Sequence, residues 1–512
     1  MAFIGTILQE VVKQKSAKRK KKLINPYEVQ EKTLKKLLNK AKNTQFGRDY
    51  GFSEILTSGN IIAEYQKRVP VYNYETIFEK YWHRTIEGEP NVTWPGKIKF
   101  FALTSGTSES ASKRIPVSND MIQSIRRTSI SQTYSLSNYN LPPSFFQKSA
   151  LMLGGSTTLT KVGKRYEGDL SGIMTGNLPI WFQNFYKPGA KISAVKDWPT
   201  KLDKTVAKAG KWDIGLCAGV PAWYQILFER IISHYKVETI HDVWPNLKFY
   251  VHGGVSFEPY KNSFEKLLGE KIHFLETYLA SEGFLAAQFD ENKKMQLVLD
   301  KGLFFEFIPF NDKNFDHDGQ VVENPEVIDL KNVQEGVDYA ILISTCAGAW
   351  RYIIGDTVKI TNKKDFQMII TGRTRHYLSL VGEHLSVDNM TKAVKMTADD
   401  LNININEFTV SGIPHGSLFA HKWYVGVDDD KVREVNDGVI KSKIDNYLVE
   451  LNDDYGVERK GALCEVYMKV IPVSWFYEWL KIKGKEGAQN KFPRVIKKDV
   501  YTDWENFLKT KE

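Results

Sequence analysis

Three short segments carry residue types that could together grip a nucleotide. The first is Thr104-Ser105-Gly106-Thr107-Ser108, followed by Lys113. Its hydroxyls, its glycine and its successive backbone N–H groups suit a polyphosphate, because a turn of adjacent N–H groups is an anion nest. Lys113 would add a point charge. The spacing is not that of a Walker A loop, in which four residues separate a glycine from a Gly-Lys pair. The second segment is Tyr278-Leu279-Ala280-Ser281-Glu282-Gly283. It offers a ring to stack on a base, a hydroxyl for a phosphate and a carboxylate for Mg²⁺. The third is Arg351-Tyr352-Ile353-Ile354-Gly355-Asp356, whose aspartate could accept both hydroxyls of a ribose.

Each segment is expected to follow a strand. Lys97–Leu103 reads as a short buried strand ending in a small-residue loop, and Asp213–Cys217 and Leu247–Val251 read as further strands. Helices are predicted over Pro221–His234 and from Pro259 to Leu268, and the next strand over Lys271–Leu275. Two strands around Asp300-Lys301-Gly302 suggest a hairpin. Repeated strand–loop–helix units predict an α/β domain with its sites at strand ends. Beyond residues 371–375 the pattern changes to a smaller α+β unit. It has a helix from Ser386, strands over Glu407–Val410, Lys422–Val427 and Leu463–Val470, and helices over Asp430–Leu451 and Ser474–Leu480. The expected division is an N-terminal domain over residues 1–378 and a C-terminal α+β domain over 379–512.

Several function classes are excluded on composition. A chain of 512 residues with 42% hydrophobic and 26% charged residues is an ordinary globular sequence of more than one domain. It has no apolar run of transmembrane length, and its basic run follows the short N-terminal apolar stretch instead of preceding it. A cytoplasmic protein with no membrane partner is expected. The net charge of +9 has one dense cluster, Lys13–Lys22, and no aromatic residue interleaves it. It reads as a solvated helix face, and no nucleic acid is expected as a partner. Cys217, Cys346 and Cys464 are expected to be free, buried thiols. The ten histidines show no zinc spacing. The oxygen ligands of Asp312, Asn314, Asp316 and Asp318 lack the glycine of a calcium loop, His317 standing in its place. No G-x-S-x-G elbow is present. His252 reads as a packed strand-end residue.

In order and in type, the three segments resemble the signatures of the plant auxin-responsive acyl-acid amido synthetase family and its bacterial relatives. That family lies within the adenylate-forming superfamily of firefly luciferase and the acyl-CoA synthetases. The likeness runs from about Asn25 to Arg494. It includes Gly219-Val220-Pro221-Ala222-Trp223, Val251-His252-Gly253-Gly254, Gly372-Arg373 through Gly382-Glu383, and Lys491-Phe492-Pro493-Arg494. Departures are Ser110 in the first loop, Ile353 where plant members have arginine, and Arg375 where many relatives have aspartate.

The resemblance implies a large N-terminal α/β domain with a mobile C-terminal domain, using ATP and Mg²⁺. On this reading Thr104, Ser105, Gly106, Thr107, Ser108 and Lys113 surround the phosphates. Gly253 and Gly254 flank the adenine, and Tyr278 stacks on it. Ser281 reaches a phosphate, Glu282 holds the metal, and Asp356 takes the ribose with Arg373 beside it. Lys491 corresponds to the lysine that approaches the α-phosphate, where building charge needs a positioned cation. Val220, Trp223 and Ala280 are expected to line the acyl pocket, together with the helix over 121–128 and residues 172–177. The implied reaction joins a small carboxylic acid to AMP and passes the acyl group to an amine, an amino acid being the expected acceptor. A monomer or weak dimer is expected. The alternatives are an acyl-CoA ligase with a thiol acceptor and a non-catalytic nucleotide-binding protein.

Overall fold

The structure is a computed structural model that describes residues 2–21, 25–104, 113–255, 257, 260–316, 319–374, 377–378, 380–383, 385–483, 492–496 and 498–511. Met1–Leu103 with Lys113–Thr374 form one compact unit, and Arg375–Glu512 lie in a second.

The first unit opens with helices that include α1 (Ala2–Lys21) and α2 (Pro26–Ala41). A small sheet holds β1 (Phe100–Thr104), β2 (Lys113–Val117), β4 (Thr160–Val162) and β5 (Arg165–Gly168), in the order β2-β1-β5-β4. Between them in the chain lie α3 (Asn119–Thr133) and β3 (Ser149–Met152), followed by α4 (Leu170–Gly176) and β6 (Tyr186–Lys187). Then come α5 (Trp198–Ala209), β7 (Ile214–Gly219), α6 (Pro221–Tyr235), β8 (Phe249–Gly253), α7 (Lys261–Leu267), β9 (His273–Ala280) and β10 (Gly283–Ala287). The unit closes with β11 (Met295–Leu297), β12 (Leu303–Pro309), β13 (Ile328–Asp329), β14 (Asp338–Thr345), β15 (Tyr352–Asn362) and β16 (Gln367–Arg373).

Twelve of these strands form one sheet, ordered β13-β12-β14-β15-β16-β11-β10-β9-β8-β7-β3-β6. From β6 to β9 every pairing is parallel; from β9 onward every pairing is antiparallel. The parallel half needs crossover helices, which α5, α6 and α7 provide. Burial follows from that cover: α6 begins at a proline, and its first eight residues are all buried. In the antiparallel half, β14 is buried from Tyr339 to Thr345, and Phe304, Phe305, Ile341, Ile343 and Trp350 join one large core with Tyr278 and Phe284.

The second unit builds a three-stranded sheet from β19 (Ile405–His415), β20 (Leu418–Val427) and β21 (Leu463–Pro472), after a short hairpin of β17 (Tyr377–Leu378) and β18 (Leu385–Ser386). Its helices are α8 (Val387–Leu401), α9 (Asp437–Leu451), α10 (Asp453–Glu458), α11 (Val473–Ile482) and α12 (Lys498–Lys509). Phe476, Trp479, Phe492 and Trp504 form an aromatic core within it. Glu383, fully buried, accepts from the backbone N–H groups of Leu380, Val381 and Gly382 and pairs with His421 at 2.9 Å, which fixes the Gly382-Glu383 stretch.

The mixed α/β class with a smaller α+β unit agrees with expectation, and four local expectations do not. The strands on either side of Asp300-Lys301-Gly302 are no hairpin: β11 pairs with β10 and β16, whereas β12 pairs with β14 along seven residues. The longer, doubly buried partnership wins over the nearer one. β9 runs on to Ala280, so Tyr278 belongs to the strand and not to the loop after it. The second-unit helix expected from Asp430 starts at Asp437, capped by Asn436. Cys217 and Cys346 are free and buried, but Cys464 is exposed, because it is the extra residue of β21 where the register with β20 steps from Phe419–Leu463 to Ala420–Glu465.

Candidate functional site

The parallel strands deliver their carboxyl ends to one edge of the sheet: Gly219 from β7, Gly253 from β8 and Ala280 from β9. Crevices outside such ends are where open α/β sheets bind ligands. Two glycines shape this edge. A Cβ on Gly253 would lie 2.5 Å from the carbonyl oxygen of Thr277, so β8 and β9 can close here only over a bare backbone. Gly254 has φ +86 and faces the Val220 methyl group, a conformation that side chains resist. Thr277 Oγ1 donates to the His252 carbonyl at 2.9 Å and ties the two strand ends together.

Ser281 and Glu282 form the turn between β9 and β10, in which Gly283 pairs with Ala280. Glu282 thus stands where the sheet changes from parallel to antiparallel. It is only 8% exposed, and its carboxyl has no side-chain partner among the described residues. Burial pushes that carboxyl up to about 7. Its own backbone N–H opposes the rise, the negative charge of Asp356 adds to it, and the charges of Lys113 and Arg373 oppose it. These four side chains therefore share one electrostatic neighbourhood, although they are drawn from β2, the β9–β10 turn, β15 and β16.

Asp356 lies inside β15, at an irregularity of its pairing, and not at the strand end expected for it. It faces Arg373 across β15 and β16, and the Arg373 Nε donates to its Oδ1 at 2.8 Å. Tyr278 donates its hydroxyl to Oδ2 at 2.5 Å. Three strands separate β9 from β15 in the sheet. However, β11 has only three residues and pairs with Met368 and Gln367, at the other end of β16. The Arg373 end is not held at sheet spacing from β9, and the sheet curls to let Tyr278 and Asp356 meet. Both carboxylate oxygens of Asp356 are engaged, and each keeps a further lone pair for a ligand hydroxyl.

Lys113 opens β2 with its ammonium 3.9 Å from Glu75 and 5.1 Å from the centre of the Tyr74 ring. Thr104 ends β1. Ser105, Gly106, Thr107, Ser108 and Lys491 lie outside the described residues. The Gly172–Asn177 stretch lies beside α3, for Arg126 donates to the carbonyl of Asn177. Met121 of the same helix approaches Gly283. Val220 precedes α6, Trp223 is buried in it and packs edge-on against Trp198 at 4.3 Å, and Ala280 ends β9 against the large core.

Sequence reasoning passed over the role of Arg351. It is 4% exposed at φ +42, and its Nε donates to both oxygens of Glu306 at 3.1 and 3.2 Å. Its Nη1 donates to the carbonyls of Gln66 and Val69. This arginine of the third segment is an internal brace. A charge inside an apolar run such as Trp350–Ile354 is the signal that a buried partner exists.

Comparison with known proteins gives consistent results. Residues 16–204 match the GH3 family N-terminal domain, 296–368 the GH3 family central domain and 388–500 the GH3 family C-terminal domain. A jasmonoyl–L-amino acid synthetase of Oryza sativa subsp. japonica is 22% identical over 72% of this chain and 78% of its own length. An indole-3-acetic acid-amido synthetase of Arabidopsis thaliana is 22% identical over 92% of this chain and 91% of its own. Among solved structures, the GH3.15 acyl acid amido synthetase in complex with 2,4-DB superposes with a TM-score of 0.58 at 17% identity, covering 100% of this chain and 96% of that one. A 2-hydroxyisobutyryl-CoA ligase in complex with 2-HIB-AMP and CoA gives 0.58 at 12% identity, covering 94% and 92%. These likenesses are of fold. No described helix is long and apolar enough to cross a membrane.

Proposed function

The chain belongs to the GH3 family, and from that premise we propose that it is an ATP-dependent acyl-acid amido synthetase. It activates a small carboxylic acid as its acyl adenylate and transfers the acyl group to an amine, with an amino acid as the acceptor class. The observation that carries this reading is the convergence of Glu282, Asp356, Tyr278 and Arg373 at the carboxyl edge of β9.

In the first half-reaction a carboxylate oxygen of the acid attacks the α-phosphorus of ATP, and the bond to pyrophosphate breaks. In the second, the amine nitrogen attacks the acyl carbon, the bond to AMP breaks, and the nitrogen loses a proton. The chain's task in both is to hold the nucleotide and neutralise charge that builds on it. Asp356 accepts the ribose hydroxyls, steadied by Tyr278 and Arg373. Gly253 and Gly254 let the base lie against bare backbone. Ser281, the 104–108 loop and Lys113 meet the phosphates, and Lys491 brings a cation to the α-phosphate.

A buried carboxylate whose charge burial resists, with no side-chain partner among the described residues, fits a divalent cation. Glu282 would hold Mg²⁺, whose charge offsets that of the triphosphate when bound. Val220, Trp223 and Ala280 form the acyl wall. The reading is tested by following acid-dependent pyrophosphate release across aryl, indole and fatty acids, then offering amines and coenzyme A to the preformed acyl adenylate. Amide product supports the proposal; thioester with no amide would make the chain an acyl-CoA ligase.

A further inference from the structure

His252 has no part in the scheme above, yet its placement demands one. The residue is 6% exposed, and its Nδ1 is buried without a hydrogen-bond partner among the described residues. The imidazole stacks on Phe257 with centroids 4.6 Å apart and planes 26° apart, and it lies 5.7 Å from the Tyr250 ring. Burial alone holds its pKa down at about 4, so it is neutral at any working pH. Buried polar groups are almost always paired, and an unpaired one is destabilising until a ligand completes it.

The surroundings say which part of a ligand that is. Alternate residues of a strand share a face, so His252 and Tyr250 project to one side of β8. Tyr250 touches Tyr224 of α6 at 5.1 Å, and the register partner of His252 is Gly219, directly before Val220 and α6. His252 is therefore on the side covered by the helix that carries Trp223. Val220 and Trp223 are the residues proposed for the acyl wall, so a ligand group that reaches His252 on this side belongs to the acyl moiety.

We infer that His252 is a specificity residue that hydrogen-bonds a polar substituent (hydroxyl, amino or oxo) on the acyl chain, so that the enzyme selects polar-substituted acids over hydrocarbon acids of the same shape. This inference rests on the adenylating reading of the site. A site built to pair with a substrate hydroxyl discriminates against the analogue lacking it, because the protein group is then left desolvated and alone.

The test uses matched acids with the full-length protein at saturating ATP: phenylacetate against its ring- and α-hydroxylated forms, and hexanoate against hydroxyhexanoates. The readout is kcat/KM for pyrophosphate release. One hydroxylated acid of a pair should be preferred by about 10-fold to 100-fold. His252→Phe, which keeps the stack on Phe257, should bring that ratio to within about twofold, and His252→Asn should retain part of it. Because each ratio is internal to one variant, a partly unfolded preparation does not alter it. Ratios unmoved by both substitutions would overturn the inference while leaving the proposed function standing. So would an equal rise in the KM for ATP with every acid, which would put His252 against the base. No pyrophosphate release with any acid would overturn both.

Discussion

Tyr278 donates its hydroxyl to Asp356 at 2.5 Å and so bonds β9 to β15 across 78 positions of sequence. The bond does two things at once. It closes the curl of the sheet, and it aims a carboxylate whose other oxygen is held by Arg373. Tyr278→Phe removes the donor and keeps the ring. Its expected loss of stability is about 0.5–1.5 kcal/mol, read from chemical unfolding. Its expected kinetic signature is a several-fold rise in the KM for ATP, with turnover at saturating ATP little changed. An unchanged KM for ATP would remove Asp356 from the nucleotide.

Glu282 sets a pH dependence of known sign. Its folded-state carboxyl titrates at about 7, above the ordinary value of 4.5, and burial is the main cause. Between those two values the folded protein keeps a proton that the unfolded chain has released. Stability of the ligand-free protein therefore falls as pH rises through that window and is level above it. Glu282→Gln should raise stability at pH 8 by up to about 3 kcal/mol, with the gain vanishing towards pH 4.5. A metal needs the carboxylate form, so the Mg²⁺ concentration for half-maximal activity should fall about fivefold from pH 6 to 7 and then level off. A flat profile would place the metal elsewhere.

Arg351 and Glu306 make a separable prediction about the scaffold. Both are almost wholly buried and pair through two hydrogen bonds. Removing one partner strands the other, so Arg351→Met should destabilise the first unit by about 3–5 kcal/mol. Adding Glu306→Leu should recover most of that loss, since a well-packed apolar pair is often as stable as a buried ionic one. Unfolding midpoints of the two single variants and the double variant check this. Additive losses would show that the pair is not the brace.

That Glu282, Asp356 and Arg373 gather was legible because chemistry repeats locally. Glu282, Asp356, Arg373, Gly253 and Gly254 stand in short segments whose residue types have few other uses together. What was not legible depends on pairing over long distances. Nothing near Gly302 says that Leu303–Pro309 will choose a partner beginning at Asp338 over the nearby Met295–Leu297. The meeting of Tyr278 and Asp356 likewise depends on how short β11 is and on where it pairs along β16, a tertiary fact. The orphaned Nδ1 of His252 is also invisible in sequence, because a histidine beside a glycine pair looks the same whether or not its ring finds a partner.

The most direct measurement is exchange of labelled pyrophosphate into ATP in the presence of carboxylic acids, for the wild-type protein and for Glu282→Gln, Asp356→Ala and Lys491→Ala. The account predicts acid-dependent exchange in the wild type and a loss of about 100-fold or more in each variant, with Lys491→Ala still binding ATP. Exchange that persists in Glu282→Gln and Asp356→Ala, or a wild-type protein that exchanges with no acid at all, would contradict it.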